Sequence, residues 1–150
     1  MNEAWIIDAC RTPRAIGKAG KGAYTGIHPQ RLGATVLKAL AERNKLNTAE
    51  VDDILWATSS QRGQQGGDLG RMSALDAGYD VRASAVTLDR FCGSGITSVT
   101  LAAASRSRSN TSGTRGAGPV LCAVPAARPR HDRRPHGWLH KQYKERQTEQ

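Results

Sequence analysis

The sequence predicts an α/β fold built on parallel strands, and three observations carry that expectation. Short apolar, β-prone runs recur at residues 4–9, 54–57 and 85–88. Segments with helical apolar spacing and capping residues separate them. The resulting order, β-α-β-α-β-α, joins each strand to the next through a helical crossover, which is how parallel strands are connected. Three strands and three helices make an incomplete sheet of this type, and a basic tail follows it.

Each element has a local reason. Ala4-Trp5-Ile6-Ile7-Asp8-Ala9 reads as a short buried strand. After Arg11-Thr12-Pro13 a Gly/Lys-rich loop runs through Gly26, with a mobile surface loop expected at 17–22. Pro29 suits the first turn of a helix reaching about Lys45, with Leu32, Val36, Leu37 and Leu40 on its apolar face. Asn47-Thr48-Ala49-Glu50 has the form of a capping box. Ile54-Leu55-Trp56-Ala57 is the second strand, and Ser59 to Gly67 is a polar, glycine-rich loop. Asp68 caps a helix that ends at Gly78. Ala85 to Leu88 is the third strand, and Gly95 to Ala104 the third helix.

Beyond Ala104 the pattern changes. Residues 1–100 carry 12 Lys and Arg against 10 Asp and Glu, a net of +2. Residues 101–150 carry 10 against 3, a net of +7, so the last third supplies most of the overall +9. Ser105 to Gly113 has no apolar periodicity, Val120 to Val124 is a lone apolar run, and Ala126 to Pro135 is rich in Arg and Pro. Such a segment buries too little apolar surface to offset chain entropy, so disorder is expected over 105–150, with a short helix at 139–147 having little to pack against. The division is therefore 1–104, an incomplete α/β segment, and 105–150, a basic low-complexity tail. The Arg, Pro, Gly, Ala and Ser that dominate the tail are encoded by GC-rich codons, and the break falls inside a helix. Both features favour out-of-frame translation over an evolved nucleic-acid-binding arm, which would also want more aromatics than Trp138 and Tyr143.

Composition narrows the class further. Met1 to Trp5 has no basic stretch and the apolar run after it is short, so no secretory signal is expected. No stretch reaches the length of a membrane span. The three cysteines, Cys10, Cys92 and Cys122, are odd in number, widely spaced and free of any CxxC, which argues against disulfide scaffolds and zinc sites. A reducing cytoplasm is the expected compartment.

Cys92 is the candidate catalytic residue. It sits in Leu88-Asp89-Arg90-Phe91-Cys92-Gly93-Ser94-Gly95, between the third strand and the third helix. Open N–H groups and the positive end of a helix dipole stabilise a thiolate at such a turn. Gly93 and Gly95 leave room for a substrate to approach the backbone. The other candidates have plainer readings. Cys10 ends a strand and should pack, and Cys122 lies in the tail. His28 precedes Pro29 and suits a cap, and Asp52-Asp53 fits a solvated turn. The glycines of 63–70 lack the order of a phosphate loop.

Several stretches together resemble the N-terminal part of thiolases, the acyl-CoA C-acyltransferases. They are Ile6 to Pro13 with Gly17-Lys18, the Gln30 to Leu40 helix, Val51 to Trp56, Gln61 to Arg71 and, most specifically, Arg90-Phe91-Cys92-Gly93-Ser94-Gly95. The resemblance covers about two-thirds of the chain and stops near Ala104. It implies that Cys92 becomes acylated by an acyl-CoA, CoA leaving. The acyl group then passes to the α-carbon of a second acyl-CoA, or to CoA in the thiolytic direction. The implied substrates are coenzyme A thioesters and CoA, with no bound cofactor and no metal, and the implied assembly is a homo-oligomer, which a truncated core compromises. The family's later His and second Cys, its base and acid, have no counterpart here; Cys122 and the histidines at 131, 136 and 140 match no motif. A general base is worth about 10²- to 10⁴-fold and an oxyanion donor about 10²- to 10³-fold, so turnover far below that of a complete thiolase is expected. The alternatives are a non-catalytic fragment and a basic-tailed nucleic-acid-binding protein.

Overall fold

The computed structural model describes residues 4–16, 20–108 and 120–123. Helix α1 spans Pro29–Asn44, strand β1 Asp53–Thr58, helix α2 Leu69–Asp76, strand β2 Ser84–Asp89, helix α3 Ser94–Arg108 and strand β3 Val120–Ala123. The strands form one sheet in the order β2-β1-β3, and both pairings are parallel. The parallel α/β class expected from the sequence is therefore the class observed.

β1 is the central strand, and Ile54 through Thr58 are all buried. Ile54 and Trp56, two residues apart and so on one face, join Leu37 of α1 and Leu69 and Ala74 of α2 in the main core. Leu55 and Ala57 alternate to the opposite face and are buried too. α3 lies against β1 and β3. The chain steps from β1 outward to β2, then crosses back over β1 to β3. Reversing direction in a parallel sheet places successive crossover helices on opposite faces. Close approach on the α1–α2 side depends on missing side chains: a Cβ on Gly33 would stand 2.6 Å from Trp56 Cη2, and one on Gly70 would stand 2.5 Å from Trp56 Cβ. Arg31 on α1 pairs with Asp76 on α2 at 3.0 Å.

The caps match the local sequence signals. His28 Nδ1 accepts from the Gln30 N–H at 3.2 Å with Pro29 opening α1. Lys45 turns left-handed (φ 49°), and the Leu46 N–H reaches the Ala41 carbonyl at 2.9 Å. Asn47 Oδ1 accepts from the Ala49 N–H, and Asn47 Nδ2 donates to Glu50 Oε1 at 3.0 Å, around a 3-10 turn at Thr48–Glu50. Asp68 caps α2 as expected. At the other end Gly78 has φ 81°, and the Tyr79 N–H returns to the Ala74 carbonyl at 3.0 Å, a left-handed ending that favours glycine. On α1 the apolar face is narrower than its leucines imply: Gly33, Ala34 and Leu37 are buried, while Leu32, Val36 and Leu40 are only half-buried.

Three expectations change. Residues 4–9 form no strand, and Trp5, Ile6 and Ile7 are 77%, 86% and 79% exposed. A strand needs a neighbour to accept its hydrogen bonds, and this segment pairs with none of the three strands of the sheet. The segment is tied instead by side chains: Asp8 accepts from Arg43 Nη2 at 2.8 Å and Asn44 Nδ2 at 2.9 Å. α3 runs to Arg108, past the expected end at Ala104. Residues 120–123, inside the segment expected to be disordered, form β3 beside β1. This is the lone apolar run of the tail, and pairing satisfies the backbone groups that its composition alone could not. Residues 109–119 and 124–150, including His131, His136, His140 and the expected helix at 139–147, lie outside the described residues, as do 17–19 of the expected mobile loop.

Candidate functional site

β2 ends at Asp89, and α3 begins at Ser94. The four residues between, Arg90 to Gly93, turn the chain and present Cys92, which is a free, exposed thiol. The turn lies at the carboxyl end of β2, beside the carboxyl end of β1, where open parallel sheets receive ligands. The first turn of a helix leaves N–H groups without intrahelical partners, so Cys92 stands at the end of α3 that favours negative charge.

The turn is strained at one residue. Phe91 has φ 47°, a left-handed conformation that a bulky side chain adopts only under constraint. The constraints are visible. Asp89 Oδ1 accepts from the Phe91 N–H at 3.1 Å, an Asx turn in which the carboxylate binds the backbone two residues on. The Gly93 N–H donates to the Arg90 carbonyl at 3.0 Å, and the Ser94 N–H to the Phe91 carbonyl at 3.3 Å. Ser94 is 3% exposed. Its Oγ accepts from the Arg90 N–H at 2.6 Å and donates to the Thr58 carbonyl, also at 2.6 Å. Ser94 thus bolts the turn to the end of β1.

The loop between β1 and α2 closes on the same place. The Gln61 N–H donates to Asp89 Oδ2 at 3.2 Å, and Gln61 Nε2 donates to the Thr87 carbonyl at 3.2 Å. Thr58 Oγ1 donates to Gln65 Oε1 at 2.9 Å. At the α2 end, Thr87 Oγ1 donates to Asp68 Oδ1 at 2.6 Å and accepts from the Gly70 N–H at 2.9 Å.

Phe91 and Ile96, on either side of Cys92 in sequence, are 78% and 76% exposed. Gly93 is not left-handed, and a Cβ there would meet its nearest neighbour, the Arg90 carbonyl oxygen, at an ordinary 3.4 Å. Its value at this turn is therefore an open approach to the backbone, not a conformation.

The other candidates fall where their plainer readings put them. Cys10 is half-buried, its thiol donating weakly to the Val36 carbonyl at 3.5 Å, and burial pushes its pKa up. His28, the one histidine among the described residues, is occupied as the α1 cap. Asp53 Oδ1 accepts from the Ile54 N–H and from Ser84 Oγ at the start of the sheet. Cys122 lies in β3, its backbone in register with Leu55. Among the described residues no group of three or more His, Cys, Asp or Glu could hold a metal ion, and no helix is long and apolar enough to cross a membrane. Asp89, Ser94 and Gln61 lie inside the sequence motifs, which carry no role for them. An Asp two residues before a bulky turn residue is an Asx-turn signal for the first. The other two owe their roles to long-range contacts.

Comparison with known proteins places this geometry in a wider set. The family model for the thiolase N-terminal domain matches residues 4–111. A steroid 3-ketoacyl-CoA thiolase of Mycobacterium tuberculosis is 46% identical over 94 residues, which are 63% of this chain and 22% of that one. A beta-ketoadipyl-CoA thiolase of Acinetobacter baylyi is 40% identical over 104 residues, 69% of this chain and 25% of that one. The crystal structure of the Bacillus anthracis acetyl-CoA acetyltransferase superimposes with a TM-score of 0.51 at 29% identity, over 58% of this chain and 22% of that one. The chain thus spans about a quarter of the length of the curated relatives it matches.

Proposed function

Because the chain belongs to the thiolase family, we propose that Cys92 is the residue that accepts an acyl group from a coenzyme A thioester. The observation that carries the reading is an exposed thiol on a strand-to-helix turn at the carboxyl end of a parallel sheet, within the stretch matched by the thiolase N-terminal domain. In the step proposed, the Cys92 thiolate attacks the thioester carbonyl and a new C–S bond forms. The bond from that carbon to the CoA sulfur then breaks, and CoA leaves as its thiolate and takes up a proton. The acyl group next passes to CoA in thiolysis, or to the α-carbon of a second acyl-CoA in condensation. The positive end of the α3 dipole favours the negative charge that develops in the first step.

Supply of the remaining groups limits what this chain does alone. Among the described residues the Cys92 thiol has no histidine or carboxylate hydrogen-bonded to it. Proton removal from the α-carbon of a second acyl-CoA needs such a base. The activity proposed for these residues is therefore acyl uptake by Cys92. No bound cofactor enters this reading. A cytoplasmic location fits its free thiols. Most of residues 105–150 we read as out-of-frame sequence. The coding DNA tests this: translation of the other frames after codon 104 should continue the thiolase pattern, and failure of both frames to do so removes the reading.

Incubation with acetyl-CoA followed by peptide mass spectrometry tests the main proposal. Cys92 should carry the acetyl group in preference to Cys10 and Cys122, and Cys92→Ser should lose it. Equal labelling of the three cysteines, or none, rules out the acyl-acceptor role.

A further inference from the structure

We infer that Asp89 is a positioning residue for Cys92, and that its carboxylate holds the glutamine-rich loop 59–67 and the nucleophile turn together as one unit. The inference rests on Cys92 being the acyl acceptor, and it adds a residue that the sequence motif leaves without a task.

The two carboxylate oxygens of Asp89 are divided between two segments. Oδ1 takes the Phe91 N–H at 3.1 Å, inside the turn. Oδ2 takes the Gln61 N–H at 3.2 Å, 28 residues away in the loop after β1. The Gln61 side chain then returns to β2, donating from Nε2 to the Thr87 carbonyl at 3.2 Å. Four residues on, Gln65 Oε1 accepts from Thr58 Oγ1. Thr58 in turn offers its carbonyl to Ser94 Oγ, which accepts the Arg90 N–H. These hydrogen bonds, with the backbone from Gln61 to Gln65 and the peptide link from Asp89 to Arg90, close a ring: Asp89, Gln61, Gln65, Thr58, Ser94, Arg90 and back to Asp89. The backbone of Phe91, left-handed at φ 47°, is tied to it through the Asp89 carboxylate, and Cys92 is the next residue.

The ring explains how a bulky residue keeps a disfavoured conformation at this position. Left alone, Phe91 would relax toward negative φ and re-aim the residue after it. Asp89 opposes this by anchoring the Phe91 N–H, and Ser94 opposes it from the other side by anchoring the peptide before. The chemistry of the anchor matters as much as its place. Asp89 receives two backbone N–H groups, and an ionised carboxylate is acceptor-only at both oxygens. An asparagine has one carbonyl oxygen, so its NH₂ would face one of the two donors. Asp89→Asn therefore keeps the shape of the side chain and breaks one arm of the ring. Glutamate keeps both acceptors on a longer stem, so Asp89→Glu should recover part of what asparagine loses.

The test uses the 150-residue chain as wild type, Asp89→Asn and Asp89→Glu. Acetyl transfer from acetyl-CoA to Cys92 is timed by mass spectrometry, and alkylation of Cys92 and Cys10 by iodoacetamide is timed beside it. Misplacing a nucleophile by about 1 Å costs up to roughly 10²-fold, so Asp89→Asn should slow acetyl transfer by about tenfold or more. Iodoacetamide, which needs no oriented carbonyl, should slow by less than about threefold, and Cys10 should not change. Asp89→Glu should fall between wild type and Asp89→Asn. Amide hydrogen exchange at Gln61 and Phe91 should rise together in Asp89→Asn. Acetyl transfer within twofold of wild type in Asp89→Asn overturns the inference while leaving Cys92 as acceptor. Faster Cys10 alkylation in parallel with the loss also overturns it, because general loosening then accounts for the effect. A wild-type chain that takes no acetyl label removes the acceptor reading itself, and the positioning role with it.

Discussion

Ser94 and Ser73 are both buried serines, and replacing each with alanine should move stability in opposite directions. Ser94 is 3% exposed, accepts from the Arg90 N–H at 2.6 Å and donates to the Thr58 carbonyl at 2.6 Å. Alanine leaves that N–H and that carbonyl without the hydroxyl. An orphaned buried donor or acceptor costs about 1–3 kcal/mol. Arg90 is an exposed residue, so water compensates in part, and the expected loss for Ser94→Ala is about 2–3 kcal/mol. Ser73 is 0% exposed, and among the described residues its Oγ has no hydrogen-bond partner. Removing an unpaired buried hydroxyl relieves a desolvation cost, so Ser73→Ala should gain about 1 kcal/mol. Urea unfolding of the whole chain followed by tryptophan fluorescence reads both, since Trp56 is buried and Trp5 already exposed. With a slope of about 1–1.5 kcal/mol per molar urea, Ser94→Ala should lower the midpoint by about 2 M and Ser73→Ala should raise it by somewhat less than 1 M. Shifts of the same sign and similar size would refute the reasoning. Burial alone would then set the cost, and the hydrogen-bond ring at the Cys92 turn would carry no energy of its own.

Two further expectations follow from the core. Tyr79 is buried and donates from its hydroxyl to the Leu37 carbonyl at 3.0 Å; burial first, and the charge of Cys10 second, push its pKa up to about 12. A phenol raised above its unfolded value near 10 contributes stability that is complete below pH 10 and is lost as pH climbs through 12. Denaturation midpoints should fall over that window in the wild type, and this part of the fall should be absent in Tyr79→Phe. At neutral pH the phenylalanine variant should cost about 1 kcal/mol for the lost bond. Gly33→Ala sets two effects against each other: alanine gains about 1 kcal/mol of helix propensity, but its Cβ would stand 2.6 Å from Trp56 Cη2 and closer than 3 Å to Ser73. Overpacking costs about 1–3 kcal/mol, so net destabilisation is expected by calorimetry. A gain in melting temperature would show that α1 can shift away from Trp56 without penalty.

The sequence was legible wherever a structural choice is local. Pro29, the Asn47–Glu50 pair, Asp68 and Gly78 each act within a few residues, and each marks the end it was expected to mark. The strands at 53–58 and 84–89 were legible from β-prone apolar runs between helices, and Cys92 from its place between the second of them and α3. The failures involve partners far along the chain. Trp5-Ile6-Ile7 has strand composition, but the folded chain gives it no strand partner. Val120 to Ala123 looks like an isolated apolar run, yet it pairs with β1. The Cys92 turn is fixed to β1 by Ser94 reaching to Thr58, 36 residues away, a contact with no local signal.

By itself, then, the sequence determined the parallel α/β class, the helix caps and the strand-to-helix turn that carries Cys92, because periodicity, capping and turn signals are written in neighbouring residues. Only the tertiary structure decided which segments pair in the sheet and how the Cys92 turn is held. A strand's hydrogen bonds and the Asp89–Gln61 and Ser94–Thr58 contacts are made between residues that only the folded chain brings together.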